Sequence, residues 1–387
     1  MGNTATPANQ ASKARATISE RLKAQAYGLG FDLAGIAALG VPDTKAQFDA
    51  WLAAGNAGQM GYLQDIGAEL RRDARAPHPG ATHALVVAMN YGGREQPGPV
   101  ARYARGEDYH EVLRERLHEL HQWLELETGQ AINARPYVDS GPILERDLAQ
   151  RAGLGWFGKN TCLINPKTGS FLFLASLFVE YPLQPDEPFD TDRCGTCTRC
   201  LDACPTNALL EPRVLDANLC ISYLTIELRT AIPESLRTPM GDLMYGCDIC
   251  QDVCPYNRKF SLPLTELRFA PRAVLDGMDA RSLAIRLLEM SVADYTSAFK
   301  GSPMKRAKFS GLKRNAAVVL GNIGSSTDAA TLIATLNDDA SVVRGHAAWA
   351  LGRLGNSRAS SALRERLLEE SDADVREEIV AALRSIA

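Results

Sequence analysis

What is missing from this chain narrows it first. Its 387 residues hold no uninterrupted apolar run of about eighteen residues, so nothing reads as a bilayer-spanning helix. The opening stretch, MGNTATPANQASKARAT, has no apolar centre and does not read as a secretory signal. Residues 1–16 read as a disordered polar tail, although Gly2 followed by Thr6 loosely meets the myristoylation pattern. Arg71-Arg72 is a twin-arginine pair without the apolar region an export signal needs. The charge is nearly balanced at −4, so no global basic field announces nucleic acid, and any such surface must be a local patch. Cysteine is almost absent outside one segment: of nine, only Cys162 lies outside 194–254. A secreted disulfide framework would spread an even set through a small chain. Clustering in a large chain points instead to metal and to the cytoplasm.

What is present divides into three parts. Residues 17–183 alternate helix and strand patterns: an amphipathic stretch over 17–39 closed by Gly28 or Gly30, a buried strand over 82–91, and a long helix over 108–129. A strand over 134–139 then leads through Ser140-Gly141-Pro142 into a helix from Ile143 to Gly155, and 170–180 is strand-like. The Pro- and Asp-rich stretch 181–192 marks a boundary, and the cysteine-bearing part runs over 184–262. From 263 to 387 the chain repeats itself. LKRNAAVVLGNIG, VRGHAAWALGRLG and VREEIVAALRSIA begin at 312, 343 and 375, which predicts stacked helix pairs of the HEAT kind. The expected fold class is therefore α+β and multidomain, ending in α-helical repeats.

The cysteine spacing carries the first chemistry. Cys194, Cys197, Cys200 and Cys204-Pro205 follow the C-x₂-C-x₂-C-x₃-C-P run of bacterial ferredoxins. Cys247, Cys250 and Cys254-Pro255 repeat it without a first member, for which Cys220 is the free candidate. The ferredoxin cross-over rule then gives Cys194, Cys197, Cys200 and Cys254 to one [4Fe–4S] cluster and Cys204, Cys220, Cys247 and Cys250 to another. Two four-cysteine zinc sites are the rival reading, though zinc ligands come as separated pairs rather than tight triplets. Cys162 reads as a small core residue.

Two clusters imply electron transfer, and the segment 135–175 suggests the acceptor. Asp139 stands at a strand end before a helix, either as a functional carboxylate or as a helix cap. Gly153, Gly155 and Gly158 imply backbone closely approached by another strand or by a flat ligand. With VDSGPILERDLAQRAGLGWFGKN, GSFLFLA, both cysteine runs, CISYLTIE, YGCDICQDVCPYN and GLKRNAAVVLGN in order, the chain resembles the epoxyqueuosine reductase family over about 20–387. That family is the tRNA-modifying, cobalamin-dependent relative of the reductive dehalogenases.

The resemblance implies an N-terminal domain holding base-off cobalamin against the two-cluster domain. The implied reaction is reduction of epoxyqueuosine to queuosine at the wobble position of a tRNA, with Asp139 giving a proton to the departing oxygen. As an acid near neutral pH, Asp139 would need burial to offset the nearby helix dipole. Arg71, Leu163 and Leu174 fall at positions the family places by the cofactor, with plain core packing the alternative for the two leucines, and Ser222 and Asp248, flanking Cys220 and Cys247, are candidates to face it. No histidine is nominated as a cobalt ligand. A low-potential flavodoxin- or ferredoxin-type protein would donate electrons, and a monomer is expected.

Despite the balanced charge, 300–314 holds six basic residues and no acid. Beside a tRNA substrate, Lys305, Arg306, Lys308, Lys313 and Arg314 become candidate phosphate contacts, with Lys300 in the same run and Arg344 extending the patch. A solvated charged face is the alternative. Two rival functions stay open: a reductive dehalogenase acting on a small organohalide, and a two-cluster electron-carrier or scaffold subunit that would need neither Asp139 nor a corrin.

Overall fold

The computed structural model describes residues 16–355 and 357–386, so the expected tail, save Ala16, and the Gly2–Thr6 pattern lie outside the described residues. Order begins with a reciprocal cap. The Thr17 hydroxyl accepts the Glu20 N–H and the Glu20 carboxylate accepts that of Thr17, which starts α1 (Ile18–Gly28). There follow β1 (Leu33–Ala38), α2 (Lys45–Ala53), α3 (Asp65–Arg71), β2 (His83–Asn90), α4 (Tyr109–Thr128), β3 (Ala134–Tyr137) and α5 (Glu145–Arg151). A short hairpin of β4 (Trp156–Phe157) and β5 (Leu163–Ile164) precedes β6 (Leu172–Val179).

The sheet order is β1-β2-β6-β3 with every neighbour antiparallel. β2 and β6 are central and apolar on both faces because helices cover both. On one side Leu22 of α1 and Leu113, Leu117 and Leu120 of α4 pack against Leu85, Val87 and Leu177. On the other, Leu148 and Ala149 of α5 pack against Ala84, Val86 and Phe178. At roughly 1.5–3 kcal/mol for each buried aliphatic side chain, these two layers fix where the strand ends emerge.

The thiolate segment contains α6 (Arg199–Asp202), β7 (Leu209–Glu211), β8 (Val214–Leu215), α7 (Ile221–Ile226), α8 (Glu234–Arg237), α9 (Ile249–Asp252) and α10 (Pro255–Phe260). Next come α11 (Ala280–Glu289), α12 (Val292–Ala298), α13 (Lys308–Ile323), α14 (Ala329–Thr335), α15 (Ser341–Leu354), α16 (Ser357–Glu369) and α17 (Ala373–Ile386). The three repeated sequences form α13, α15 and α17, stacked in that order. Small residues set the stacking distance: a Cβ on Gly321 would stand 2.4 Å from the Trp349 ring, and one on Gly352 2.8 Å from Ala382 Cα.

Packing crosses both expected boundaries. Asp186 accepts the Ile36 N–H at 2.8 Å and pairs with Lys23, tying the 181–192 stretch to α1 and β1. Ile221, Leu224 and Tyr245 share one continuous core with Leu312, Leu320, Leu351 and Ile379. Among the described residues no helix is long and apolar enough to cross a membrane.

Candidate functional site

All nine cysteines are free thiols, and eight of them sort into two neighbourhoods. Cys194 and Cys254 pack with Trp156, Ile164, Phe189 and Tyr256, and the Trp156 indole donates to Cys194 Sγ at 3.3 Å. Cys200 lies within electrostatic reach of both, and burial pushes its thiol up to about 11. Cys197 sits in the same exposed loop, whose Gly195 and Cys197 carbonyls accept from Lys159 Nζ at 2.6 and 3.0 Å. The second neighbourhood brings Cys204, Cys220, Cys247 and Cys250 within mutual influence; burial above all pushes Cys247 up to about 12. Buried thiols that resist ionising alone are ones a bound metal deprotonates. α6 and α9, which carry Cys200 and Cys250, pack on each other between the neighbourhoods. Among the described residues no group of three or more His, Cys, Asp or Glu closes on a single point.

Cys162 is half-buried and bonds to Cys250, so it borders the second neighbourhood rather than filling a core. Thr161 beside it is left-handed, with φ 66°, and its carbonyl accepts from Arg146 Nη1 of α5 at 2.6 Å. The glycines nearby serve protein packing. A Cβ on Gly155 would stand 2.3 Å from the Ile164 carbonyl, and one on Gly158 2.4 Å from the Ile164 side chain. Of the two readings of this glycine density, the neighbouring strand is the one realised.

Asp139 lies two residues beyond β3, with its side chain 62% exposed. Continuing the β3–β6 register, in which Tyr137 faces Ser176, brings Asp139 level with Leu174. It does not cap α5, whose first residue is Glu145 after Leu144. The helix starts two residues later than Ile143, the start expected from Pro142, because the turn 139–143 bends before it can coil. Asp139 is left-handed, with φ 54°, and its Oδ2 accepts a short bond from the Tyr109 hydroxyl. His110 Nε2 stands 3.8 Å from the same oxygen, while His110 Nδ1 meets Asp108 at 2.6 Å. The Asp139 amide donates to Glu145 Oε1 at 2.8 Å. Burial first, and then the Asp139 charge, push the Glu145 carboxyl up to about 8. A carboxyl held up by burial therefore lies directly beside Asp139, at Glu145.

The other candidates divide. Arg71 is buried, and Nη1 donates to the Tyr62 and Gly67 carbonyls at 3.1 and 2.9 Å while Nη2 reaches Gly141 at 3.4 Å. It thus ties α3 to the Asp139 turn. Leu174 is half-buried beside that turn, whereas Leu163 is 4% exposed and packs into the core under α5. Ser222 lies against the Cys220 sulfur, to which its hydroxyl bonds. Asp248 does not face an open site: it is buried, and Oδ2 accepts both the amide and Nη1 of Arg102 at 2.9 Å.

The basic run is divided by burial. Lys300, Lys305, Arg306 and Lys308 are exposed. Arg314 is 1% exposed, and its guanidinium donates to the carbonyls of Leu224, Leu228 and Thr230 at 2.5, 2.8 and 2.8 Å. Burial pushes it down to about 9, so it holds α7 and is no phosphate contact. Lys313 is committed to Asp338 at 2.8 Å, and buried Arg344 to Glu370 at 2.7 Å. Arg306 pairs with Glu227 and lies over the Tyr62 ring at 5.3 Å, so contacts run from the basic run through Tyr62 and Arg71 to the Asp139 turn. Sequence reasoning missed Tyr109, His110 and Glu145. The signal for Glu145 was its place six residues after Asp139, at a helix start.

Comparison with known proteins follows this layout. Residues 71–140 match a family described as Epoxyqueuosine reductase QueG, DUF1730; residues 193–257 match a 4Fe-4S double cluster binding domain, and residues 304–384 match HEAT repeats. The epoxyqueuosine reductase of Xanthomonas campestris is 40% identical over 347 residues, covering 87% of this chain and 96% of that one. That of Escherichia coli is 38% identical over 346 residues, covering 87% and 89%. A crystal structure of an epoxyqueuosine reductase with an epoxyqueuosine-modified tRNA stem loop superposes with TM-score 0.84 at 30% identity, covering 95% of this chain and 98% of that one. A Bacillus subtilis epoxyqueuosine reductase, solved with an aspartate-bearing catalytic loop swung out of its active site, gives the same TM-score, 0.84, identity, 30%, and coverage, 95% and 98%.

Proposed function

The chain belongs to the epoxyqueuosine reductase family, and on that premise we propose how its residues reduce epoxyqueuosine to queuosine in tRNA. The reaction takes two electrons and two protons, breaks both C–O bonds of an epoxide, forms a C=C bond and releases water. The observation that carries the assignment is Asp139: an exposed carboxylate in a left-handed turn, held by Tyr109, on the side of α5 from which Arg146 and Thr161 lead to the Cys250 neighbourhood.

Residues 193–257 are a double-cluster [4Fe–4S] domain. The neighbourhood of Cys194, Cys197, Cys200 and Cys254, which includes the exposed loop, would hold the cluster that takes electrons from a low-potential flavodoxin- or ferredoxin-type carrier. That of Cys204, Cys220, Cys247 and Cys250, which borders Cys162, would hold the cluster that passes them on. A cobalamin would be held near the Asp139 turn against half-buried Leu174 and Ser222, with Arg71, buried and bonded to the Gly141 carbonyl, bracing that turn from behind. Bound there, cobalamin supplies a low-potential centre nucleophilic toward an epoxide carbon.

The protein's own residues do the rest. Asp139 gives a proton to the departing oxygen, Tyr109 fixes which carboxylate oxygen is free, and Arg71 braces the turn through Gly141. Lys305 and Lys308 meet tRNA phosphates while the modified base reaches the site unstacked. The test is anaerobic turnover on epoxyqueuosine-containing tRNA. Asp139→Asn is expected to lower queuosine formation by about a hundredfold or more, with iron content and tRNA affinity unchanged. Full activity in that variant would refute the assignment.

A further inference from the structure

The turn that carries Asp139 is held at few points. A non-glycine residue stays left-handed only where its contacts enforce it. Asp139 has φ 54°, and it and Ser140 are exposed between buried Val138 and Gly141, so at these two residues the turn is held by hydrogen bonds, among them the Ser140 amide on the Val138 carbonyl at 2.5 Å. Arg71 reaches the turn only at Gly141, across a long 3.4 Å contact. The Asp139 amide, by contrast, makes a well-formed 2.8 Å bond to Glu145 Oε1, the first residue of α5. α5 is itself rigid, because Leu148 and Ala149 are buried and Asp147 accepts the Thr44 amide and hydroxyl at 2.9 and 3.0 Å.

We propose that Glu145 is a positioning residue: by accepting the Asp139 amide it keeps the turn left-handed, so that the Asp139 carboxylate stays on Tyr109 and faces the site. This rests on the reading of Asp139 as proton donor. Without the acceptor, the amide pairs with water and the turn is free to relax toward commoner backbone angles, carrying the carboxylate away. The groups facing Glu145 are Asp139 on the turn, Arg146 on its own helix and Arg71 on α3, with Tyr109 within electrostatic reach on α4. His110 and Tyr62 stand behind them, toward Asp139. With its carboxyl pushed up to about 8, first by burial, Glu145 keeps its proton at pH 7 and accepts the amide as a neutral group. Above that pH a buried charge forms beside the turn and the hold weakens.

The test uses the full chain, purified anaerobically with its clusters. Hydrogen exchange reports the 138–141 peptide, with peptides from β2 and β6 as the folding control, and single-turnover reduction of epoxyqueuosine in tRNA reports chemistry. Glu145→Ala is expected to exchange about tenfold faster at 138–141 and to react about ten- to a hundredfold more slowly, with tRNA affinity unchanged. Glu145→Gln keeps an acceptor oxygen without a charge, so both readouts stay near wild type and the loss of rate above about pH 8 disappears. Unchanged exchange in Glu145→Ala overturns the proposal, as does a Glu145→Gln as slow as Glu145→Ala. Should Asp139→Asn react like wild type, the reading of Asp139 fails instead, and the exchange result still decides whether Glu145 holds the turn.

Discussion

A carboxylate and its neighbour can divide one task. Asp139 is where a proton donor is wanted, yet its side chain is largely in solvent, while Glu145, six residues on, is half-buried and retains its proton toward pH 8. A strand followed by a helix was legible around them, although the strand ends and the helix starts two residues away from the expected positions. Which carboxyl is shielded was not, because shielding depends on α3 and α4, which are remote in sequence. The thiolates show the opposite balance. Their spacing, read with the ferredoxin cross-over rule, proposed two sets of four; Cys194 packs with Cys254, and Cys220, 27 residues before Cys247, lies within electrostatic reach of Cys204, Cys247 and Cys250. Only Cys162 was misplaced: it lies beside Cys250 instead of in a core. Cys220→Ala is therefore expected to lose one cluster, about half of the iron and acid-labile sulfide. Cys162→Ser should keep both. Equal iron in the two variants would remove Cys220 from the ligand set.

Among elements, α7 has the most demanding position. Cys220 is its N-cap, so one end carries a proposed cluster ligand, and Arg314 binds the carbonyls of Leu224, Leu228 and Thr230 at its other end. Asn315 adds bonds to the Thr225 and Met244 carbonyls at 2.8 and 2.9 Å. A buried guanidinium is tolerated because its donors are paired, and removing it strands several carbonyls at roughly 1–3 kcal/mol each. Arg314→Met is expected to lower the thermal midpoint by several degrees and to make the cluster at Cys220 labile to chelators, while tRNA affinity in the folded fraction is unchanged. A loss of tRNA affinity at full stability would return Arg314 to the RNA surface. Repetition revealed α13 as a repeat helix, but its inward face is chosen by contact with α7, which repetition does not encode.

Over the whole molecule, the Asp139 turn and the basic run are joined across about 170 residues of sequence by Arg306, Tyr62 and Arg71. Arg306 is committed to Glu227, so its removal would disturb this junction as well as any phosphate contact. Lys305 and Lys308 are exposed and give the cleaner test. Lys305→Glu with Lys308→Glu is expected to weaken tRNA binding by about tenfold or more at moderate salt and to change its salt dependence, with iron content and folding intact. Affinity equal to wild type would place the RNA on another face.

The sequence by itself determined whatever depends on near neighbours or on periodicity. That includes the two thiolate runs, the strand before Asp139, the repeat helices and the absence of a membrane-spanning stretch. Only the tertiary structure decided which charges are buried. It turned Arg314, Arg344 and Asp248 inward, left Lys305 and Lys308 outside, and shielded the Glu145 carboxyl so that it resists ionisation. The physical reason is that desolvation is set by whatever packs against a group from remote parts of the chain, and no local pattern records that.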